Sequence, residues 1–481
     1  MSTIQPSDNT LWQQGQSIAL DIEDLADSGD GVGRWQQRVV FVPDTAIGDR
    51  ALVRLVRVKP RYARGKVLAL LEPSPSRQRP PCIVADKCGG CQWQHIEYGA
   101  QLQGKRQQVV QAIERIGGLE NVRVNEVLST GESLGYRNKA TYPIQRSKTK
   151  QIRVGYYQKG THKLVNLNQC PVQDDRLDPF LAQIKQDIQK RKWYVYDEKT
   201  NKGEVRHLGL RVGRRTGEVL LTLVARSTEL PGLEDQAKAW LRQYPELVGV
   251  CVNINGKRTN RIFGEKTECI AGESFLTEEF AGLRFRLGST AFFQVNTEAA
   301  ELIWQEIDRE LDWNGEETAI DAYSGIGTFS LPLARRVRRV IGLEIHEDSV
   351  RQARENAQLN DLTNVEFYAG RVESLLGENS PIFQGEGKLN PNLVLLDPPR
   401  QGCDRAVLEA LLRLKSDRIV YVSCKPATLA RDLGILCESG VYYIDRIQPV
   451  DLFPQTAHIE AIAFLQKREQ SPRLLSVGRT R

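Results

Sequence analysis

Across residues 11–71 apolar and polar positions alternate in short runs, at 16–22, 38–41, 50–59 and 64–71. Alternation with a period of two, interrupted by turn formers, predicts strands. The interruptions are Ser28-Gly29-Asp30-Gly31-Val32-Gly33 and Pro43-Asp44. About five short strands in so little chain predict a small β-barrel of the oligonucleotide-binding sort. A Pro- and Ser-rich stretch, 72–81, ends the barrel as a linker. Beyond it Leu102, Val109, Val110 and Ile113 fall at helical spacing within 98–116. Residues 133–291 mix strand and helix patterns and carry no self-evident catalytic pattern. From 291 onward apolar strands alternate with helices, which predicts a parallel, doubly wound sheet. The last residues, 468–481, are polar and basic and are expected to be a disordered tail.

At 481 residues the chain exceeds one ordinary core, so several domains are expected. Its 66 Lys and Arg against 60 Asp and Glu give a net charge of only +6, but the cations are clustered. They crowd 50–79, 137–163 and 467–481, and the later barrel strands carry Arg54, Arg57, Lys59, Arg61, Arg64 and Lys66. Such crowding suits a polyanionic partner, and nucleic acid is the expected one. No apolar run approaches the roughly 18 residues of a membrane span, and the first residues lack the charged-then-apolar pattern of a signal peptide. Nine cysteines, an odd count with three clustered, fit thiols or metal ligands in a reducing cytoplasm better than disulfides.

Two sites of chemistry stand out in the alternating region. Thr318-Ala319-Ile320-Asp321 is a short apolar strand running into Ala322-Tyr323-Ser324-Gly325-Ile326-Gly327-Thr328, and 329–336 has a helical pattern. A strand, a glycine turn and a helix bring backbone N–H groups close to a nucleotide-like ligand. The next strand ends in Glu344, 23 positions after Asp321, where an acid can accept hydrogen bonds from ribose hydroxyls. The turn lacks the third glycine of a dinucleotide fingerprint, which favours S-adenosylmethionine, a ligand with no pyrophosphate.

The strand 392–396 stops at Asp397-Pro398-Pro399-Arg400, and the strand 418–422 stops at Ser423-Cys424-Lys425-Pro426. Both stops lie where a doubly wound sheet places its active site. Pro426 suits the first turn of a helix over 427–438, so Cys424 would sit at the positive end of that helix, beside Lys425. Both features are expected to lower its thiol pKa. A thiolate beside a methyl donor points to pyrimidine chemistry. Carbon 5 of uracil is too poor a nucleophile until a thiolate adds to carbon 6, and a base must later remove the carbon 5 proton. Glu460, in His458-Ile459-Glu460, is the candidate base.

Cys82-x5-Cys88-x2-Cys91 offers three soft ligands, with Gly89-Gly90 permitting a tight bend, and Cys170 is the best candidate for a fourth. Four thiolates suit either zinc or an iron–sulfur cluster, and spacing does not separate the two. His95 is a further possible ligand, but four cysteines complete the set.

Together these pieces resemble the RNA uracil-5-methyltransferase family, most closely its branch acting on 23S ribosomal RNA, over about residues 11–467. The barrel resembles a TRAM RNA-binding domain, followed by Pro80-Pro81-Cys82 and Lys87-Cys88-Gly89-Gly90-Cys91-Gln92. The resemblance implies a [4Fe-4S] cluster on Cys82, Cys88, Cys91 and Cys170. Gly135-Tyr136-Arg137-Asn138-Lys139 resembles an RNA-contacting segment, and Phe292-Phe293-Gln294-Val295-Asn296 the opening of the methyltransferase domain. By the same resemblance Gln294, Tyr323, Thr328, Glu344 and Asp397 bind S-adenosylmethionine, Cys424 is the nucleophile and Glu460 the base. Lys425 and Thr328 depart from the asparagines usual there, and Arg371 departs at a position near the adenine.

The expectation is therefore a multidomain α/β protein. A TRAM-like barrel covers 11–71, and a central α+β domain with the iron–sulfur site covers 82–100 and 133–291. A Rossmann-like methyltransferase domain covers 101–132 and 292–467. It is expected to work as a cytoplasmic monomer on RNA, not DNA, and away from membranes. The same chemistry on transfer RNA and a non-catalytic RNA-binding role are the alternatives.

Overall fold

The computed structural model describes residues 12–377, 380–383 and 390–468. The described residues gather into two compact units. The first is drawn from Met1–Gln108, Val127–Leu302 and Val450–Ile459, and the second from Val109–Glu126, Ile303–Pro449 and Glu460–Arg481. The tail expected over 468–481 lies, apart from Arg468, outside the described residues.

The first unit opens with six strands: β1 (Ser17–Asp21), β2 (Asp24–Leu25), β3 (Gly31–Trp35), β4 (Arg38–Val42), β5 (Arg50–Val58) and β6 (Tyr62–Glu72). They form one sheet in the order β1-β5-β6-β4-β3-β2. Strict alternation buries Ile18, Leu20, Val53 and Leu55 on one face and leaves their neighbours to solvent. Gly33 is required where β3 crosses β1, since a Cβ there would lie 2.3 Å from the Asp21 carbonyl oxygen. The sequence pattern suggests about five strands; the sixth, β2, has only two residues and lies too close to the glycine turn to show a period.

The central sheet follows, with strands β7 (Lys139–Arg146), β8 (Ile152–Tyr157), β9 (Leu164–Asn166), β10 (Val205–Val212), β11 (Val219–Ala225), β12 (Leu247–Ile254) and β13 (Lys266–Gly272). Their order is β13-β12-β11-β10-β7-β8-β9. Phe180, Leu181, Ile184 and Trp240, from the helices Asp178–Lys190 and Leu233–Gln243, belong to the buried cluster over this sheet. A hairpin of β14 (Phe275–Phe280) and β15 (Leu283–Gly288) completes the strands of this unit.

The second unit holds β16 (Thr318–Ala322), β17 (Arg339–Glu344), β18 (Val365–Ala369), β19 (Leu393–Leu396), β20 (Arg418–Ser423), β21 (Tyr442–Val450, whose last residue belongs to the first unit) and β22 (Glu460–Lys467). They run β18-β17-β16-β19-β20-β22-β21. The pairs from β18 to β20 are parallel, as expected, but β22 runs antiparallel to β20. Every residue of β16, β19 and the first six of β22 is buried, so these strands read as continuous apolar runs. The helix expected over 329–336 shortens to Ser330–Ala334. Among the described residues no helix is long and apolar enough to cross a membrane.

Candidate active site and cysteine pocket

The chain order reverses at β16, which pairs with β17 on one side and β19 on the other. Ligands bind such sheets at this switch point, beyond the carboxyl ends of the strands. There the chain turns with Tyr323 at φ 75°, Gly325 at 55° and Gly327 at 89°. The glycines adopt this left-handed backbone freely, whereas Tyr323 does so under strain and must be held. It is held: the N–H groups of Tyr323 and Ser324 both donate to the Leu343 carbonyl at 2.9 Å. Glu344 accepts from the Gly325 N–H at 3.1 Å and the His346 N–H at 2.8 Å. The Ser330 hydroxyl donates to Asp321, whose other oxygen, Oδ1, is buried with no partner, as is Ser324 Oγ. Unpaired buried polar atoms are unfavourable, and at a strand tip they fit a polar ligand that would complete them.

Asp397 stands half-buried at the end of β19, its N–H donating to Ala322 O at 3.4 Å. Cys424 follows the last residue of β20 and precedes the helix Pro426–Glu438. The β20–β22 ladder ends at the pair Ser423↔Ala461, so Cys424 and Glu460 come next on each side at the same level. Sequence separation of 36 positions is thereby closed by strand register alone.

Carboxylates dominate the electrostatics here. Burial raises the Glu460 pKa well above the usual glutamate value, and Asp397 beside it adds to the rise. Asp397 is pushed up to about 7, first by burial and then by Asp321. Asp321 is likewise raised to about 7, by burial and by Glu344. Cys424 is pushed up to about 11 by burial, then by Glu460 and Asp397. The sequence reading expects the opposite, a thiol acidified by the helix end and Lys425. Lys425 is instead exposed, while two acids contributed by other strands face the sulfur. Arg400 is the cation that opposes this trend at both Cys424 and Glu460. Sequence reasoning passed over it; its place after Asp397-Pro398-Pro399 was the available signal.

Among the residues expected to hold the methyl donor, Tyr323, Thr328, Glu344 and Asp397 belong to the second unit. Gln294 belongs to the first, where its carbonyl accepts from Asn138 Nδ2 at 2.9 Å and Asn138 also donates to Thr297 Oγ1 at 3.0 Å. Arg371 stands just before the short helix Val372–Leu375 and pairs with Glu373 at 2.5 Å.

In the first unit Cys82, Cys88, Cys91 and Cys170 line one cavity of about 230 Å³, together with Gln94, Arg137 and Tyr156. His95 is not among the lining residues; its Nε2 lies 3.1 Å from Thr45 O. Local bonds fix the ring of thiols. Gln94 accepts from the Cys82 N–H at 3.1 Å, Asp178 from the Cys170 N–H at 3.1 Å, and Gly89 N–H donates to Tyr157 O at 2.9 Å. Burial pushes Cys91 up to about 11 and Cys170 up to about 12, and neighbouring thiols add to both shifts. Among the described residues no three or more His, Cys, Asp or Glu side chains are drawn together tightly enough to hold a single metal ion.

A family model described as tRNA (Uracil-5-)-methyltransferase matches residues 97–468, and one described as TRAM domain matches residues 11–68. An "uncharacterized RNA methyltransferase" of Nostoc sp. is 61% identical over 95% of this chain and 97% of that protein. A protein of Synechocystis sp. with the same description is 52% identical over 95% and 97%. The crystal structure of Pyrococcus abyssi tRNA (uracil-54, C5)-methyltransferase in complex with S-adenosyl-L-homocysteine superposes with a TM-score of 0.73 at 30% identity, covering 93% of this chain and 99% of that one.

Proposed function

The chain belongs to the tRNA (uracil-5-)-methyltransferase family, and from that premise we propose that it methylates carbon 5 of a uridine in 23S ribosomal RNA through a covalent adduct from Cys424. The observation that supports the covalent chemistry is the placement of Cys424, Glu460 and Asp397 at one end of the sheet, where the two carboxylates raise the thiol and Asp397 raises Glu460. In the proposed sequence Cys424 loses its proton to solvent and adds as a thiolate to carbon 6, and the double-bond electrons move toward the carbonyl at carbon 4. Carbon 5 of that enolate then takes a methyl group. S-adenosylmethionine supplies the methyl as a sulfonium, and Gln294, Tyr323, Thr328, Glu344 and Asp397 would hold it. Glu460, as the carboxylate, next removes the carbon 5 proton; the electrons re-form the carbon 5–carbon 6 double bond and expel the thiolate. A carboxylate raised by burial is a stronger base than a free one, which suits removal of a proton from carbon.

A four-cysteine [4Fe-4S] centre is the second part of the proposal. The four cysteines are among the residues that line one cavity of about 230 Å³, and a set of four thiolates is what such a cluster takes as ligands. Cationic iron would also relieve the mutual repulsion of the thiolates. The protein purified without oxygen should be brown and contain about four irons and four sulfides per chain; colourless protein with one zinc would overturn the iron assignment.

Transfer RNA is the second reading of the substrate, favoured by the likeness to the Pyrococcus abyssi enzyme. Methylation assays on separated 23S and transfer RNAs from a strain lacking the gene decide between them. Incorporation into 23S alone supports the first reading, and incorporation into transfer RNA alone overturns it.

A further inference from the structure

The segment 451–459 has no regular secondary structure, yet it leads directly into Glu460. It is held instead by buried side chains of its own unit. Gln455 stands in the left-handed region at φ 68° and is 1% exposed. Its N–H donates to Gln101 Oε1 at 3.0 Å, and Gln101 Nε2 donates back to Gln455 Oε1 at 3.1 Å. The Gln455 carbonyl accepts from the N–H groups of Gln92, at 3.2 Å, and Trp93, at 3.0 Å. Lys105 Nζ donates to Asp451 Oδ1 at 2.6 Å and to Phe453 O at 3.0 Å, with both charged side chains fully buried. Tyr136 OH closes the set on Pro454 O at 3.0 Å.

Burying amides and charges is unfavourable unless each is satisfied, and well-packed apolar residues are often at least as stabilising. What such a network supplies is one backbone geometry. Glu460 opens β22, one position beyond the last β20–β22 pair, Ser423↔Ala461, so the segment delivers the chain directly into that strand. Accepting Glu460 as the base, as above, we propose that Gln101 and Gln455 are positioning residues for it. They fix the backbone entering Glu460 so that its carboxylate meets the carbon 5 proton after methyl transfer, and they act on release of the adduct rather than on its formation.

The test uses the full-length protein in single turnover, with methyl-labelled donor and an RNA on which the enzyme is active. Gln101→Leu and Gln455→Gly each remove one amide, and the glycine keeps the left-handed backbone. Each variant should transfer methyl within about threefold of wild type yet release methylated RNA at least about tenfold more slowly, leaving a labelled RNA–protein band on denaturing gels. Ile184→Val, a core change away from the segment, should lower the melting temperature without producing that band. Normal release in both variants, or transfer and release slowed equally, would overturn the proposal. Glu460→Gln run alongside separates the two readings. If it traps methylated RNA and neither amide variant does, positioning fails and the base stands; if only the amide variants trap it, the base assignment fails and the segment's part in release stands.

Discussion

Cys424 and three cysteines of the pocket, Cys88, Cys91 and Cys170, hold their protons more tightly than free thiols, but their neighbours differ. Around Cys424 the negative charge comes from carboxylates on other strands, Glu460 and Asp397, with Arg400 in opposition. Around Cys91 and Cys170 it comes largely from other thiols. A thiol among acids is relieved by moving protons, which suits a reaction cycle. Thiolates among thiolates are relieved by protonation or by a bound cation, and a bound cation is what the proposed centre would supply. On the proposed function, the same shift in the same direction belongs to a reactive group in one unit and to a ligand set in the other.

The sharpest way to break this contrast is at Cys424. Cys424→Ala should lower methyl transfer by more than about 10³-fold, and the variant should form no stable adduct with RNA containing 5-fluorouridine, which the wild type should trap. An adduct in the variant would move the nucleophile elsewhere. Next comes Glu460→Gln, expected to slow release by about 10²–10⁴-fold while leaving methyl transfer measurable. Quantifying methylated RNA in the covalent band checks it, and loss of transfer with no band would assign Glu460 to folding or binding.

In the pocket, Cys88→Ala should remove iron and lower the melting temperature by at least about 6 °C, because metal binding is coupled to folding. Methyl-donor binding, measured by calorimetry, should change little; a large loss would blur the division between the two thiol sets. The smallest effect concerns pH. Asp397 titrates at about 7 in the folded chain, against about 3.9 in an unfolded one. The folded state therefore binds the extra proton between those values, so this group's contribution to stability is full below about pH 4 and is lost as pH rises through 7. Asp397→Asn should raise the melting temperature at pH 8 by roughly 2–4 °C, and by less at pH 5, while weakening methyl transfer. Equal shifts at both pH values would remove the electrostatic account.

The two units also differ in how far they could be read in advance. The glycine turn, the acid at Glu344 and the strand stops at Asp397 and Cys424 can each be read from a few consecutive residues, and their chemistry follows from local pattern. The pairing of Cys424 with Glu460 does not, since a register between β20 and β22 creates it. The direction of the Cys424 shift is not legible either: Lys425 is a neighbour in sequence, while the burial that raises the thiol, and after it Glu460 and Asp397, come only with the fold.

By itself the sequence determined the element types, the TRAM-like barrel, the family and the residue types capable of chemistry. Periodicity, glycine turns and proline stops act over a few residues and survive without tertiary contacts. Only the tertiary structure decided that β22 runs antiparallel, that Cys170 joins Cys82, Cys88 and Cys91 around one cavity, and that Gln101 meets Gln455. Those facts depend on strand register and on burial of distant side chains, which fix distances and electric fields that no local pattern encodes.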